Sequence, residues 1–251
     1  MSYDVVVAGA SVAGLFCARE IARSGHSVLV LEEDFEVGTP EHCGGLVSAS
    51  GLEDLGIIPS TKTLDSPIQK ARLSSPGGTK LDVDAKKQSV IVINRRELDK
   101  QIAHQAQKNG AEIRVKTSFK EFKQNQVVTS AGTFECKILV DARGIASIIH
   151  RDRTGTLQSA QYEIYADWIQ KGLVEVDFDV QKYPGFFSWG LRCAIPARRA
   201  SSREKVVHPN RTQSAKAATK RGFQPWGATA LDDRRPWVTA FVATKGQGAT
   251  P

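Results

Sequence analysis

Cysteine is scarce in this chain, and what there is lies apart: Cys17, Cys43, Cys136 and Cys193 share no paired spacing. That argues against a zinc site or a thioredoxin-like couple, so no metal is expected and a reducing cytosol is the expected setting. No run approaches the roughly 18 apolar residues that span a bilayer. Any membrane contact is therefore expected to be peripheral. The opening residues enter a strand at once, without the basic stretch and apolar core of a secretory leader. No internal repeat of solenoid period is found either.

A basic balance is also missing from most of the chain, although the formal net charge is +7. Residues 1–189 carry 22 Lys and Arg against 24 Asp and Glu, whereas residues 190–251 carry 12 against 3. The excess sits entirely in the last stretch. There Ile, Leu and Val fall from 45 of 189 residues to 7 of 62, too few to fill a core. Residues 190–251 are thus expected to be a basic, poorly ordered tail. Arg198, Arg199 and Lys205, with Trp226 and Trp237, offer the weak phosphate attraction of any basic segment, and no specific nucleic-acid partner is expected.

What the chain does have is a strong opening. Tyr3-Asp4-Val5-Val6-Val7-Ala8 is an apolar strand that runs into Gly9-Ala10-Ser11-Val12-Ala13-Gly14 and then a helix over residues 12–24. Gly9 lets the chain turn sharply, and Gly14 lets the helix lie close to the sheet, so that its first amides face a pyrophosphate. Ser11 stands where the middle glycine of such a turn is usual, which crowds the phosphate and weakens the motif. A second strand, residues 27–31, ends in Glu32, about 20 residues on, where an acid accepts ribose hydroxyls. On the helix, Leu15, Ala18 and Ala22 form the buried side, and Arg19, Glu20 and Arg23 are placed largely elsewhere.

Further on, residues 34–50 read as a long irregular loop of the kind that carries function. Strand-like pieces flank Pro76-Gly77-Gly78 as a hairpin, and Val90-Ile91-Val92-Ile93 is an apolar strand before a helix with Leu98, Ile102 and Ala106 at i, i+4 spacing. A second hairpin is expected across Ala131-Gly132, and residues 137–141 return to the sheet. The alternation of strands and helices predicts an α/β fold, a dinucleotide-binding Rossmann-like domain with an inserted hairpin over residues 1–150. Residues 151–189 are strand-rich without helices and read as the start of an antiparallel substrate-binding sheet.

Taken together, these segments resemble the flavin-dependent geranylgeranyl reductases, specifically the archaeal enzymes that saturate digeranylgeranylglycerophospholipids. The likeness covers roughly residues 1–189. It rests on the opening turn with Glu32, on Gly38-Thr39-Pro40-Glu41-His42-Cys43-Gly44-Gly45, on Arg95-x-x-Leu98-Asp99, on Val140-Asp141-Ala142-Arg143-Gly144, and on Pro184-Gly185-Phe186-Phe187-Ser188-Trp189. The resemblance implies FAD as cofactor, with Gly9, Ser11, Ala13, Gly14, Glu32, Cys43, Gly44, Gly45, Arg95 and Phe119 around it, the last through its main chain near the adenine. It implies Cys43 as the candidate catalytic residue and Phe187 and Trp189 as contacts for an isoprenoid chain.

Each of these positions has a plainer reading beside the implied one. Cys43-Gly44-Gly45 is also a glycine turn with a structural cysteine, Arg95 with Arg96 a solvated pair, and the aromatic group an ordinary core. Arg143 cannot accept the hydrogen bonds an aspartate would, which weakens a monooxygenase reading.

The expected function is reduction of isolated double bonds in geranylgeranyl chains on membrane lipid precursors. The alternatives are a related flavin monooxygenase or halogenase, and a truncated inactive relative. A prenylated lipid is the implied substrate, with ferredoxin or NAD(P)H left open as electron donor, so an electron-donor protein is an admissible partner. The setting is cytoplasmic, with peripheral contact at the membrane. After Trp189 the pattern departs at once, and residues 190–251 read as non-homologous sequence such as a shifted frame would produce.

Overall fold

A computed structural model of the chain describes residues 2–40, 43–147, 159–165, 170–192 and 237–243. It divides into two compact units, one of residues 1–67, 85–158 and 246–251, the other of residues 68–84 and 159–245.

The first unit is built on a six-stranded sheet. β1 (Ser2–Ala8) pairs in parallel with β2 (Val28–Leu31) on one side and with β11 (Gly132–Asp141) on the other, and β2 pairs in parallel with β8 (Glu112–Arg114). The hairpin of β9 (Phe119–Lys123) and β10 (Gln126–Thr129) extends the sheet antiparallel, giving the order β8-β2-β1-β11-β10-β9. Because side chains alternate along a strand, Val5, Val7, Val28 and Val30 face one core while Val6, Leu29 and Leu31 face another. The first core is closed by α1 (Val12–Arg23) and α3 (Arg95–Lys108), through Leu15, Ala18, Leu98, Ile102 and Ala106. The second is closed by Val127, Phe134 and Cys136. The α/β class and both hairpins follow the sequence expectation; β5 (Lys70–Ser74) and β6 (Lys80–Asp84) form the hairpin around Pro76-Gly77-Gly78.

The apolar run at residues 90–93 is a strand, β7, as expected, but it does not join the large sheet. It is the centre of a separate three-stranded sheet, antiparallel to both β3 (Leu46–Ser48) and β4 (Leu64–Pro67). Within the stretch read as loop, residues 34–50, lies β3, and the short helix α2 (Ala49–Asp54) begins at its end. Arg19, placed on the open side of α1, is buried instead. Its guanidinium donates to Glu20 Oε1 at 2.7 Å, Gln105 Oε1 at 2.9 Å and the Leu55 carbonyl at 2.9 Å, and stacks on Phe16 at 4.4 Å. An arginine with all three nitrogens hydrogen-bonded and its face stacked on a ring is tolerated in a core, and here it ties α1 to α3.

The second unit is a six-stranded sheet in the order β12-β15-β14-β13-β5-β6. β13 (Leu173–Asp177) lies parallel to β5 and antiparallel to β14 (Ser188–Arg192), while β15 (Trp237–Ala243) joins β14 to β12 (Ser159–Tyr165). The stretch read as a tail therefore contributes the end of β14 and one whole described strand. Its remaining residues lie outside the described part.

Candidate cofactor site

Chain direction places the site. β1 continues through α1 to β2 on one side, and β11 lies on the other, so the crevice at the C-terminal ends of β1 and β11 is where an open parallel sheet takes a ligand. Gly9 leaves β1 with φ +105°, and a side chain there would meet the Ala142 carbonyl oxygen at 2.7 Å. At Gly14 a Cβ would fall 2.0 Å from the Gly9 carbonyl oxygen. Both glycines are therefore dictated by how tightly turn, helix and β11 close on each other.

Ser11 is the N-cap of α1, yet its side chain makes no capping hydrogen bond, and Ser11 and Ala13 are both exposed. The serine does not plug the bend. The helix start, with its positive dipole end, is open to an anion. Beside it, Glu32 at the end of β2 accepts from the Ala10 amide at 2.9 Å and from the Asp34 amide at 3.0 Å. These bonds hold the carboxylate at the lip of the turn, where it can also accept from a sugar hydroxyl.

Two backbone hydrogen bonds fix the neighbouring loops. The Thr117 amide donates to the Glu32 carbonyl at 2.7 Å, which brings the segment leading into Phe119 alongside Glu32. The Ile93 amide donates to the Gly45 carbonyl at 2.8 Å, which fastens the Cys43-Gly44-Gly45 segment two residues before Arg95. Gly45 has φ +75° and no room for a Cβ, since one would lie 1.9 Å from the Ile93 carbonyl oxygen. Gly44 is buried and Cys43 is exposed, so Cys43 is not a buried structural cysteine. Glu41 and His42 lie outside the described residues.

At the start of α3, Asn94 caps the helix by accepting from the Glu97 amide at 3.0 Å. Arg95 and Arg96 then part company. Arg96 and Lys100 both grip Glu36, and those contacts, Lys100 first, hold the Glu36 acid below the usual carboxylate range. Gly38 packs so closely that a Cβ would meet the Arg96 Cα at 2.9 Å. The loop after β2 is thus locked onto α3. Arg95 turns inward to Asp99, with Nη2 3.9 Å from Oδ1. Neither arginine is simply solvated, which corrects the plainer reading of the pair.

Asp99, quoted in the sequence motif without a role, is the functional candidate that sequence reasoning missed. Its residue is buried, and that burial pushes its acid up to about 6, against the pull of Arg95 and with the push of Glu32. The signal was present as i, i+4 spacing from Arg95. A second missed pair sits across the crevice. Arg143 donates to both Asp141 oxygens at 2.9 Å and stacks its guanidinium 4.4 Å above the Phe119 ring. An acid does lie at this turn, two residues before the arginine.

Phe187 and Trp189 belong to the second unit. Their rings lie 5.3 Å apart, with Phe186 stacked on Phe187 at 4.6 Å and Phe178 at 5.6 Å from it. This is a continuous aromatic surface, and Phe178 is half exposed. Among the described residues no group of side chains could hold a metal ion, and no helix is long and apolar enough to cross a membrane.

Comparison with known proteins decides among dinucleotides. A family model described as FAD binding domain matches residues 2–188. The chain belongs to the FAD binding domain family. FAD is accordingly its cofactor, and the open helix start, the acid at the second strand and the unmatched groups of Arg95 and Asp99 suit a dinucleotide.

Among curated proteins, digeranylgeranylglycerophospholipid reductase 1 of Methanopyrus kandleri is 32% identical over 206 residues, covering 75% of this chain and 54% of that protein. The corresponding reductase 2 of Methanothermobacter thermautotrophicus is 31% identical over 206 residues, with the same two shares. The chain spans about half the length of these relatives. Among solved structures, a geranylgeranyl bacteriochlorophyll reductase-like protein of Thermoplasma acidophilum superposes with a TM-score of 0.70 at 18% identity, covering 97% of this chain and 56% of its own. A probable FAD-dependent monooxygenase of Pseudomonas aeruginosa gives 0.61 at 14% identity, with shares of 97% and 60%. At those identities the likeness is one of fold.

Proposed function

We propose that this chain is the FAD-holding part of a reductase that saturates isolated double bonds of geranylgeranyl chains on lipid precursors. The observation that carries the reading is the roughly 30% identity to digeranylgeranylglycerophospholipid reductases over 206 residues, three quarters of the chain. In this reading the amides after Gly9, from Ser11 through Ala13 and Gly14, receive the pyrophosphate, and Glu32 takes the ribose hydroxyls. Arg95 faces the dinucleotide, the main chain at Phe119 borders the adenine, and Cys43-Gly44-Gly45 borders the flavin ring.

When bound and first reduced by the electron donor, FAD would supply the hydride that such a reduction needs, returning to its oxidised form. The protein must exclude water from the alkene, which is not electron-poor, and set a proton donor at its second carbon. Cys43, exposed on a segment fastened to β7, is the proposed donor. Phe187 and Trp189 offer the apolar surface for the isoprenoid chain. Because the lipid tails reside in a bilayer, the protein meets its substrate by peripheral contact at the membrane surface. Ferredoxin or NAD(P)H delivers the electrons.

The test is anaerobic incubation of the chain with FAD, dithionite and a geranylgeranylated glycerophospholipid, read by mass spectrometry. A gain of two hydrogens for each double bond supports the reading. Oxygen-dependent oxidation of NADPH with no change in the prenyl chain would replace it with the monooxygenase alternative. A chain that binds FAD yet neither reduces the lipid nor consumes oxygen would leave cofactor binding as its activity.

A further inference from the structure

Asp99 is set apart by an oxygen with nothing to accept. Its side chain is 9% exposed, and Oδ1 is fully covered without a hydrogen bond among the described residues. Arg95 stands one helical turn earlier with Nη2 at 3.9 Å, within ion-pair range but beyond a hydrogen bond. The Arg95 Nε is also covered and lacks an acceptor. Opposite charges in reach of each other thus leave both a donor and an acceptor unmatched. Such a pair is costly until a third group completes it.

The surrounding charges sharpen the point. Glu32, from the end of β2, opposes ionisation of Asp99. Along α3, Arg96 and Lys100 are committed to Glu36 and do not compensate it. From α1, the buried cation Arg19 is held by Glu20, Gln105 and the Leu55 carbonyl, and the first turn of α1 contains no acid. Arg95 is therefore the cation on which the Asp99 carboxylate depends. Arg95 in turn sits at the positive end of the α3 dipole, where a cation is unfavourable without an anion beside it.

Resting on the FAD reading above, we propose that Asp99 is a positioning residue that trades Arg95 for a proton when the dinucleotide binds. Without ligand the carboxylate keeps Arg95 turned inward. The anionic cofactor adds negative charge beside Glu32 and offers Arg95 better acceptors; Arg95 moves to them, and Asp99, having lost its counter-charge, takes one proton from solvent. No bond within the cofactor is made or broken in this exchange. By linkage, a binding step that takes up a proton strengthens as pH falls.

The experiment is calorimetric titration of FAD into the full chain, at about pH 7, in buffers of differing ionisation enthalpy, followed by affinity measurements across pH. The wild type is expected to take up close to one proton per FAD, and its Kd to rise by up to about tenfold per pH unit above about 6. Asp99→Asn is expected to bind with no uptake and a flat pH profile. Arg95→Gln is expected to bind more weakly and with reduced uptake, which keeps the test open if Asp99→Asn does not fold. Wild-type binding without proton uptake, or unchanged uptake in either variant, overturns the exchange while leaving the FAD reading intact. A wild-type chain that binds no FAD at any pH overturns the FAD reading itself, and the exchange with it.

Discussion

Replacing Asp99 by asparagine is expected to stabilise the ligand-free protein, and by an amount that depends on pH. Burial raises this acid from 3.8 to about 6, so the folded state holds the proton more tightly than the unfolded chain does. The sign follows: below pH 4 the group is neutral in both states and costs nothing, and the penalty grows as pH rises, becoming full above about 6. A shift of that size corresponds to about 3 kcal/mol at neutral pH. Asparagine keeps the shape and removes the charge, but it leaves Arg95 without its partner. That loss is already contained in the shift, because the pull of Arg95 on the charged form is one of its causes. The net gain at pH 7 is therefore about 3 kcal/mol, and it vanishes near pH 4. Urea unfolding of both proteins from about pH 4 to pH 8 measures the difference directly. A difference that does not change with pH, or a variant less stable than wild type at neutral pH, would refute the reasoning.

Gly14→Ala is expected to cost more than about 3 kcal/mol, because the added methyl would meet backbone rather than a movable side chain; thermal unfolding reads it. Gly45→Ala combines an equally close backbone contact with a left-handed φ, and is expected to abolish FAD binding before it unfolds the chain, as seen by flavin fluorescence. Glu36→Gln should release the loop after β2 from Arg96 and Lys100, with about 1 kcal/mol of stability lost and faster hydrogen exchange confined to residues 33–40.

Much of the cofactor unit was legible because its determinants are local. A strand of consecutive valines, a glycine at the turn, a small residue every three or four positions on the helix and an acid closing the next strand lie within 32 residues, and each follows from chain geometry alone. The two hairpins were legible for the same reason. The parts that were not legible are set by distant partners. Arg19 is buried because Gln105 and Leu55 lie across α1 from elsewhere in the chain, and Glu36 meets Arg96 at a separation of 60 residues. β7 is apolar enough for a central strand of the large sheet, yet Leu46–Ser48 and Leu64–Pro67 claim its two edges. Asp99 stood in the quoted motif without a role, because its i, i+4 spacing from Arg95 does not by itself reveal that α3 buries it. A buried acid is defined by what covers it, and the covering residues are not adjacent in sequence.

The bend between β1 and α1 is the proposed seat of FAD. Its most direct test is the visible absorption spectrum of the purified chain after incubation with FAD and removal of excess cofactor by gel filtration, measured alongside Glu32→Ala. A yellow wild-type protein carrying close to one flavin per chain, with Glu32→Ala losing at least about tenfold in affinity, is the expected result. A colourless wild-type protein, or flavin retained equally well without Glu32, would contradict it.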